Sequence, residues 1–218
     1  MSSDSQREAQ EKETGRIEAF SDGVFAIAIT LLILDVKVPL LEEAEKAGLW
    51  TVLLERAPNF LAFVVSFFFI LVMWINHHRL FTVIRRSDNN LLLLNGLLLF
   101  GVTFVPFPAA LVAEYLNQPD QIVALMVYNF WFFLIAIFFN AMWWYASSQK
   151  RLFSAKTDYA LVKHISRQYM GGPFLYFVAL ILAFIHPYLS LLASFLLAVY
   201  FVIPNPSVQQ LMDTQNEE

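Results

Sequence analysis

The sequence predicts an all-α, polytopic membrane protein with six transmembrane helices. Of the 218 residues, 58% are hydrophobic and only 15% are charged, whereas soluble domains usually carry about 25% charged residues. Six apolar segments each approach the roughly 20 residues that an α-helix needs to cross the hydrocarbon layer. Because no internal repeat or long linker divides the chain, we expect one membrane domain.

We number the six predicted segments spans 1 to 6. They cover, in order, residues 17–38, 59–75, 91–113, 122–146, 170–185 and 188–203. Pro106 and Pro108 should kink span 3, because proline lacks the N–H that a helix interior requires. The pair His186-Pro187 should separate spans 5 and 6 for the same reason. Since these two spans are short, one re-entrant or interfacial hairpin is the alternative to two crossings.

The polar ends of the chain and its basic residues predict the topology. Residues 1–16 and 205–218 are expected to be tails on either side of a membrane domain of residues 17–204. Eleven of the 14 Lys and Arg residues lie in the N-terminal tail, the second connection and the fourth connection. The fourth connection contributes Lys150, Arg151, Lys156, Lys163 and Arg167. By the positive-inside rule, both termini are cytoplasmic in a multi-pass cell-membrane protein.

The composition also excludes several classes of protein. The chain has no Cys, so it forms no disulfides and no thiolate metal sites. Its net charge of −4 comes largely from the polar ends and gives no indication of nucleic-acid binding. The lipid bilayer is therefore the expected partner, and no cofactor is indicated.

Asp22 is a carboxylate inside the first predicted span. It follows Arg16 by six residues, which places it about 9 Å along a helix and just inside the hydrocarbon. An ionised carboxylate that faces lipid is costly, so Asp22 should face the bundle and have polar partners there.

Polar residues at the end of span 2 lie at the same depth as Asp22. They are Trp74, Asn76, His77 and His78. We expect Asp22 to contact His77 or His78, with Ser21, Asn76 and Asn95 as further hydrogen-bonding groups. Such a cluster is either a structural anchor that joins the first three spans or a proton-sensitive site, because histidine titrates near physiological pH.

Two other functions need the same carboxylate and histidines. An intramembrane enzyme could use Asp22, His77 and His78 in acid-base or metal chemistry. However, adjacent histidines on a helix point about 100° apart, and no HExxH pair occurs, so we do not expect an enzyme. A proton-coupled transporter could use the same groups as a relay, but its usual paired, discontinuous helices are not evident.

An apolar stripe follows Asp22 along span 1. Ile27, Leu31 and Leu34 are spaced i, i+4 and i+7 and share one helical face, with Thr30 beside them. Asp22 lies about 140° from Ile27 around the helix, so the carboxylate and the stripe point in different directions. Periodicity alone leaves two possibilities open, which are packing in the core and lining of a pathway.

The start of span 1 resembles the first helix of the transmembrane protein 175 family, the endolysosomal potassium channels and their prokaryotic relatives. The resemblance rests on RIEAFSDGVFAIAITLLILDV, in which Arg16 is followed by Phe20, Ser21 and Asp22. The Trp-x-x-His-His-x-x-Phe pattern of residues 74–81 also resembles that family, as do six spans with cytoplasmic termini. The motifs cover mainly the first 85 residues. One six-helix unit resembles the prokaryotic members, so we expect a prokaryotic plasma membrane.

The resemblance implies a potassium-permeable, modestly selective cation channel. Family members conduct potassium without a TVGYG loop, which is absent here too, and the first helices of four six-helix units line their pore. We therefore expect a homotetramer in which span 1 lines a central pore for potassium and other monovalent cations. Alignment on Phe-Ser-Asp places Ile27 at the apolar constriction, with Leu31 and Leu34 further out and Thr30 near the pore.

Overall fold

The described part of the chain is entirely helical apart from short connections, as predicted. The computed structural model describes residues 3–148, 152–153, 157 and 159–203, with side chains from Thr14 onward except at positions 159 and 161. The helices are α1 (Ser3–Leu31), α2 (Leu41–Ala47), α3 (Leu49–Glu55), α4 (Ala57–Val83), α5 (Asn89–Phe104), α6 (Pro106–Tyr115), α7 (Gln121–Ser148), α8 (Tyr159–Met170), α9 (Gly172–Ile185) and α10 (Pro187–Val202). A 3-10 helix, Leu32–Asp35, extends α1.

Six predicted spans find counterparts among these helices. Within the described residues, five stretches are long and apolar enough to cross a membrane: Thr14–Asp35, Ala57–Val83, Asn89–Tyr115, Gln121–Ser148 and Val162–Ile185. The sixth counterpart, α10, is apolar but shorter, at 16 residues. Span 1 is thus α1 with its 3-10 extension, span 2 is α4, span 3 is α5 with α6, and spans 4 to 6 are α7, α9 and α10.

Three boundaries differ from the prediction. Helix α1 already begins at Ser3, within the predicted polar tail. Helix α4 continues to Val83, well beyond the predicted end of span 2 at residue 75. The first connection contains the short helices α2 and α3. Hydropathy measures how well a segment fits hydrocarbon. Polar residues such as Glu, Arg and His can continue a helix into water. The apolar segments are therefore shorter than the helices that contain them.

Two breaks occur where proline predicted them. Span 3 divides at Val105, directly before Pro106, since that proline has no N–H to continue the hydrogen bonds of α5. His186 is extended between α9 and α10, and Pro187 is the first residue of α10. Proline is favoured at this position because its N–H is not needed in the first turn.

Helix α7 is the centre of the bundle and packs against α5, α6, α9 and α10. Buried polar side chains join α7 to α10. Asn129 Nδ2 donates to Ser190 Oγ at 2.9 Å, and Ser194 Oγ donates to Asn129 Oδ1 at 2.6 Å. Ser190 Oγ in turn donates to the carbonyl of Ala179 at 2.8 Å. These bonds join α7, α9 and α10 and give the polar atoms of Asn129, Ser190 and Ser194 hydrogen-bond partners. Helix α1, by contrast, lies at the edge of the bundle against α4 and α5.

The bundle has two distinct ends. Thr14 Oγ1 donates to the carbonyl of Arg85 at 3.1 Å, and Arg79 donates to the carbonyl of Val202 at 3.0 Å. The first residues of span 1 and the last of α10 therefore lie at one end, which we call the basic end. The opposite end, where Asp35 terminates span 1, is the far end. The predicted basic residues Lys150, Arg151 and Lys156 and the tail of residues 205–218 lie outside the described residues.

Candidate pore-lining helix and its polar anchor

Span 1 has one packed face and one open face. The packed face, against α4 and α5, carries Phe25, Ala28 and Leu32, each 1% exposed. The open face carries Ile27, Leu31 and Leu34, which are 60%, 40% and 69% exposed. The stripe predicted from periodicity therefore lies outside the core of the chain.

Thr30 lies on the open face beside this stripe. Its side chain is exposed, and its hydroxyl donates to the carbonyl of Ile27 at 2.9 Å. Because that bond satisfies the hydroxyl proton within the helix, the lone pairs of the oxygen remain available on the open face.

Three buried polar side chains join spans 1, 2 and 3. Asn95 Nδ2 donates to Ser21 Oγ at 3.0 Å, and Asn95 Oδ1 lies 2.8 Å from His77 Nε2. Ser21 Oγ donates in turn to the carbonyl of Ile17 at 2.8 Å. The amide oxygen of Asn95 can only accept, so Nε2 of His77 is the nitrogen that carries the proton. We call Ser21, Asn95 and His77 the buried anchor.

The ring of His77 is enclosed by aromatic side chains. Phe25 of α1 lies 5.4 Å from it and Phe81 lies 4.6 Å from it, measured between ring centroids. His77 is fully buried, and its Nδ1 atom has no hydrogen-bond partner within the described residues. This enclosure fixes the ring against the packed face of span 1.

A second set of contacts lies outside the buried anchor. Trp74 Nε1 donates to Asp22 Oδ1 at 2.8 Å, and His78 Nδ1 lies 2.7 Å from Glu18 Oε1. Trp74 and His78 stack with their ring centroids 6.2 Å apart. Glu18 and Asp22 are four residues apart on α1, as are Trp74 and His78 on α4, so two i, i+4 pairs face each other. We call these four residues the outer clasp.

Asp22 bonds directly to neither of the histidines with which the sequence groups it, although it shares the outer clasp with His78. No hydrogen bond or ion pair joins Asp22 to His77 or His78 in the described chain, and Trp74 is its partner instead. The predicted contact was wrong because depth in the membrane does not determine direction around a helix. Glu18, the partner of His78, was not identified, although its position four residues before Asp22 is a usable signal.

Asn76, Arg16 and Phe20 lie outside both sets. Asn76 accepts from Tyr169 Oη at 3.0 Å and donates to the carbonyl of Val72, so it joins α4 to α8 and not to span 1. Arg16 is exposed, and Phe20 is 67% exposed. Neither of these two contributes to the bonds of the anchor or the clasp.

The arrangement offers little to acid-base or metal chemistry. The two histidines point to different partners, one to an amide and one to a carboxylate. Within the described residues, no three His, Asp or Glu side chains are grouped so that they could hold a metal ion. The polar groups hold helices together through hydrogen bonds. The open face of span 1, in contrast, packs against no other described helix.

Comparison with known proteins identifies the family. The profile described as "Endosomal/lysosomal potassium channel TMEM175" matches residues 16–106. A curated potassium channel from Chamaesiphon minutus is 53% identical over 194 residues, which cover 89% of this chain and 96% of the relative. A potassium channel from Streptomyces collinus is 43% identical over 190 residues, or 87% of this chain and 91% of the relative.

A solved structure agrees with both the sequence match and the fold. The crystal structure of a lysosomal potassium-selective channel TMEM175 homolog from Chamaesiphon minutus superimposes with a TM-score of 0.80 at 51% sequence identity. The match covers 88% of this chain and 97% of that one. An all-helical fold, near-complete coverage and identities well above those of chance similarity lead to one conclusion: this chain belongs to the TMEM175 family.

Proposed function

We propose that this protein is a potassium-permeable, modestly selective cation channel, formed by four copies of the chain around a central pore. Its membership in the TMEM175 family and the naming of its relatives as potassium channels support this function. No enzymatic role is proposed, because the relatives are channels and the candidate acid-base residues do not form one site.

The observation that carries the proposal is the open face of span 1. Ile27 and Leu34 are 60% and 69% exposed, while residues on the opposite face of the same helix are buried. One helix cannot enclose a pore, so the open faces of several copies must meet around an axis of closed symmetry. Ala19, Gly23 and Ala26 are also exposed on this helix, and small residues allow neighbouring helices in a membrane to approach closely.

An apolar ring can control the passage of cations. With Ile27 at the narrowest point, an ion must shed part of its hydration shell among methyl groups, and the constriction can close by dewetting. Potassium is more weakly hydrated than sodium and therefore meets the lower barrier. Selectivity is modest because no cage of oxygen atoms replaces the lost water. Leu31 and Leu34 form further rings, and Thr30 offers a hydroxyl near the path.

The anchor and the clasp determine which face of span 1 remains open. Ser21, Asn95 and His77 hold the packed face from inside, and Trp74 holds Asp22 beside them. A helix that is held in two directions cannot rotate freely about its axis. These residues therefore position the pore-lining side chains without lining the pore themselves.

The basic end of the bundle is proposed to face the cytoplasm of a prokaryotic cell. Arg79, Arg85 and Arg86 lie there, beside the first described side chains of span 1 and the last residues of α10. The positive-inside rule assigns such an end to the cytoplasmic side. Both termini are then cytoplasmic, and the far end opens to the exterior.

Single-channel recording of the purified protein in a planar bilayer tests the proposal. We expect unitary currents that reverse near the potassium equilibrium potential when potassium is the dominant cation, together with an oligomer of four chains by light scattering in detergent. A proton-coupled transporter gives no unitary currents, and its slower flux depends on a pH gradient. Silence from a correctly folded tetramer under both conditions would contradict the channel.

A further inference from the structure

A cavity of about 480 Å³ opens at the far end of each subunit. Its walls come from the end of span 1, the start of α4 and the last turns of α6. Asp35 and Tyr115 are the last residues of their membrane spans, and Asn59 is two residues into its own. The cavity therefore lies at the depth where the membrane meets water, and its volume falls in the range of about 300 to 1,000 Å³ that is typical of small-molecule sites.

Charged side chains of both signs line this far-end cavity. Asp35 and Glu114 supply two carboxylates, and Lys37 and Arg56 supply two cations. Each sign is represented twice, although Arg56 is also paired with Glu43, which lies outside the lining. A molecule that carries a cation and an anion close together can pair with both sets.

Of these four side chains, Arg56 makes hydrogen bonds within the described residues, and Lys37 attracts Asp35 electrostatically. Arg56 Nη2 donates to Glu43 Oε2 at 2.6 Å, and Nη1 donates to the carbonyl of Lys37 at 2.9 Å. These bonds hold the guanidinium in place and use two of its five N–H groups. The side chains of Asp35, Lys37 and Glu114 have no hydrogen-bond partner among the described residues.

The remaining wall is apolar and open at the surface of the chain. Phe60 and Phe107, which are 42% and 53% exposed, line the cavity together with Leu111. Tyr115 lies at its rim, and tyrosine favours the boundary between hydrocarbon and headgroups. A ligand in this position would need a charged head for the polar wall and an apolar body for the aromatic wall.

We propose that the far-end cavity binds the phosphoethanolamine headgroup of a zwitterionic phospholipid. The phosphate accepts hydrogen bonds from Lys37 and from the free N–H groups of Arg56, since guanidinium and ammonium groups are the usual phosphate partners. The primary ammonium donates to Asp35 and Glu114. The glycerol and acyl portions leave over Phe60 and Phe107 toward the bilayer.

Native mass spectrometry of the full-length oligomer tests whether the far-end cavity prefers this headgroup. The protein is purified in detergent and delipidated. It is then exposed to phosphatidylethanolamine, phosphatidylcholine or phosphatidylglycerol with identical acyl chains. We expect phosphatidylethanolamine to be retained most strongly, because phosphatidylcholine has no ammonium N–H to donate and phosphatidylglycerol has no cation. Glu114→Gln and Lys37→Gln should each weaken retention about tenfold, the loss of one charge-assisted hydrogen bond.

Glu45→Gln and Lys46→Gln are matched controls, because both residues are exposed on α2 and neither lines the cavity. Neither control should change retention. Equal retention of the three lipids, or loss on Lys37→Gln alone with a preference for phosphatidylglycerol, would overturn the zwitterion assignment. Free phosphoethanolamine supplies the same charges without acyl chains. If it raised the melting temperature of the oligomer while no lipid was retained, the ligand would be soluble and the lipid assignment would be wrong.

Discussion

Trp74 Nε1 donates a hydrogen bond of 2.8 Å to Asp22 Oδ1 and thereby fastens span 2 to span 1. The bond lies next to the buried anchor but is separate from it, because Ser21 and Asp22 are adjacent residues whose side chains point about 100° apart on a helix. Ser21 contacts Asn95 in the interior, and Asp22 contacts Trp74. Span 1 is thus held in two directions at one depth.

Trp74→Phe should destabilise the protein without changing ion selectivity. Phenylalanine keeps most of the ring but removes the N–H, so Asp22 loses its hydrogen bond, at a cost of about 1 kcal/mol. The melting temperature in detergent and the reversal potential in bilayers measure the two effects. Trp144→Phe is the matched control, because Trp144 is 68% exposed and its indole N–H has no hydrogen-bond partner among the residues that the structure describes. A selectivity change in Trp74→Phe at normal stability would place this pair on the permeation path.

The buried anchor should behave as a coupled unit. Asn95→Ala leaves the Nε2–H of His77 unpaired in a buried site, and His77→Ala leaves the amide oxygen of Asn95 unpaired. In a double-mutant cycle of unfolding free energies, we expect a coupling of about 1 to 3 kcal/mol between the two residues. Additive losses would show that the contact contributes little and that the aromatic enclosure of His77 is the main restraint.

Sequence patterns predicted the spans and their breaks better than the contacts between them. The break before Pro106 follows from a missing N–H, which is a local property of one residue. The partner of Asp22 depends on how α1 and α4 are rotated against each other, and nothing local specifies that rotation. Trp74 was in the predicted cluster, but its partner became evident only from the rotation that the structure shows.

The end of α4 illustrates a second limit. Residues Asn76 to Arg79 interrupt the hydropathy of span 2, so hydropathy predicts that the span ends at residue 75. In the structure these residues continue the helix, because each finds a partner on another element: a tyrosine, an amide, a carboxylate or a terminal carbonyl. Such partners come from distant parts of the chain and are not visible in a hydropathy pattern.

Gly101→Ala should destabilise the contact between α5 and α7. A Cβ atom at this position would lie 2.9 Å from Cγ1 of Ile135 and 3.4 Å from Cδ2 of Phe138, so the helices must separate or the side chains must leave their rotamers, at a cost of about 1 to 3 kcal/mol. Thermal unfolding in detergent measures the loss, and in a double-mutant cycle with Ile135→Ala the two losses should be less than additive, because the second change removes the clashing atom.

Gly96→Ala on the same helix is the control for this change. Nothing lies within 4 Å of a Cβ atom at Gly96, and alanine favours a helix over glycine by up to about 1 kcal/mol. We expect equal or higher stability in this variant. A similar loss at both glycines would point to a general effect on α5 and contradict the close contact at Gly101.

Arg79→Gln should loosen the end of α10. The guanidinium donates to the carbonyl of Val202, one of the terminal carbonyls that have no partner within the helix. Without it, the last turn should exchange its amide hydrogens faster, while the remainder of α10 is unaffected. Hydrogen exchange measured by mass spectrometry follows this directly. Arg85→Gln changes an exposed arginine at the same end and should leave α10 unchanged.

Ile27→Asn distinguishes a pore-lining residue from a packing residue. If Ile27 forms the narrowest ring, each subunit contributes one amide where only methyl groups stood, and these amides replace part of the water that an ion loses. The barrier then falls for both cations, and the preference for potassium over sodium decreases. The measurement is the reversal potential under opposed potassium and sodium gradients, taken together with the melting temperature of the oligomer.

Leu93→Asn is the control for exposed polarity, because Leu93 is 66% exposed on α5 rather than on span 1. It should change neither selectivity nor conductance. If Ile27 instead packs against a neighbouring subunit, an amide at that position lacks partners and costs on the order of 1 to 3 kcal/mol. The oligomer would then melt earlier or dissociate, and its reversal potential would stay where it is in the unmodified protein. Higher sodium permeability at near-normal stability fits only the pore, because a packing defect offers sodium no new oxygen ligands along its path.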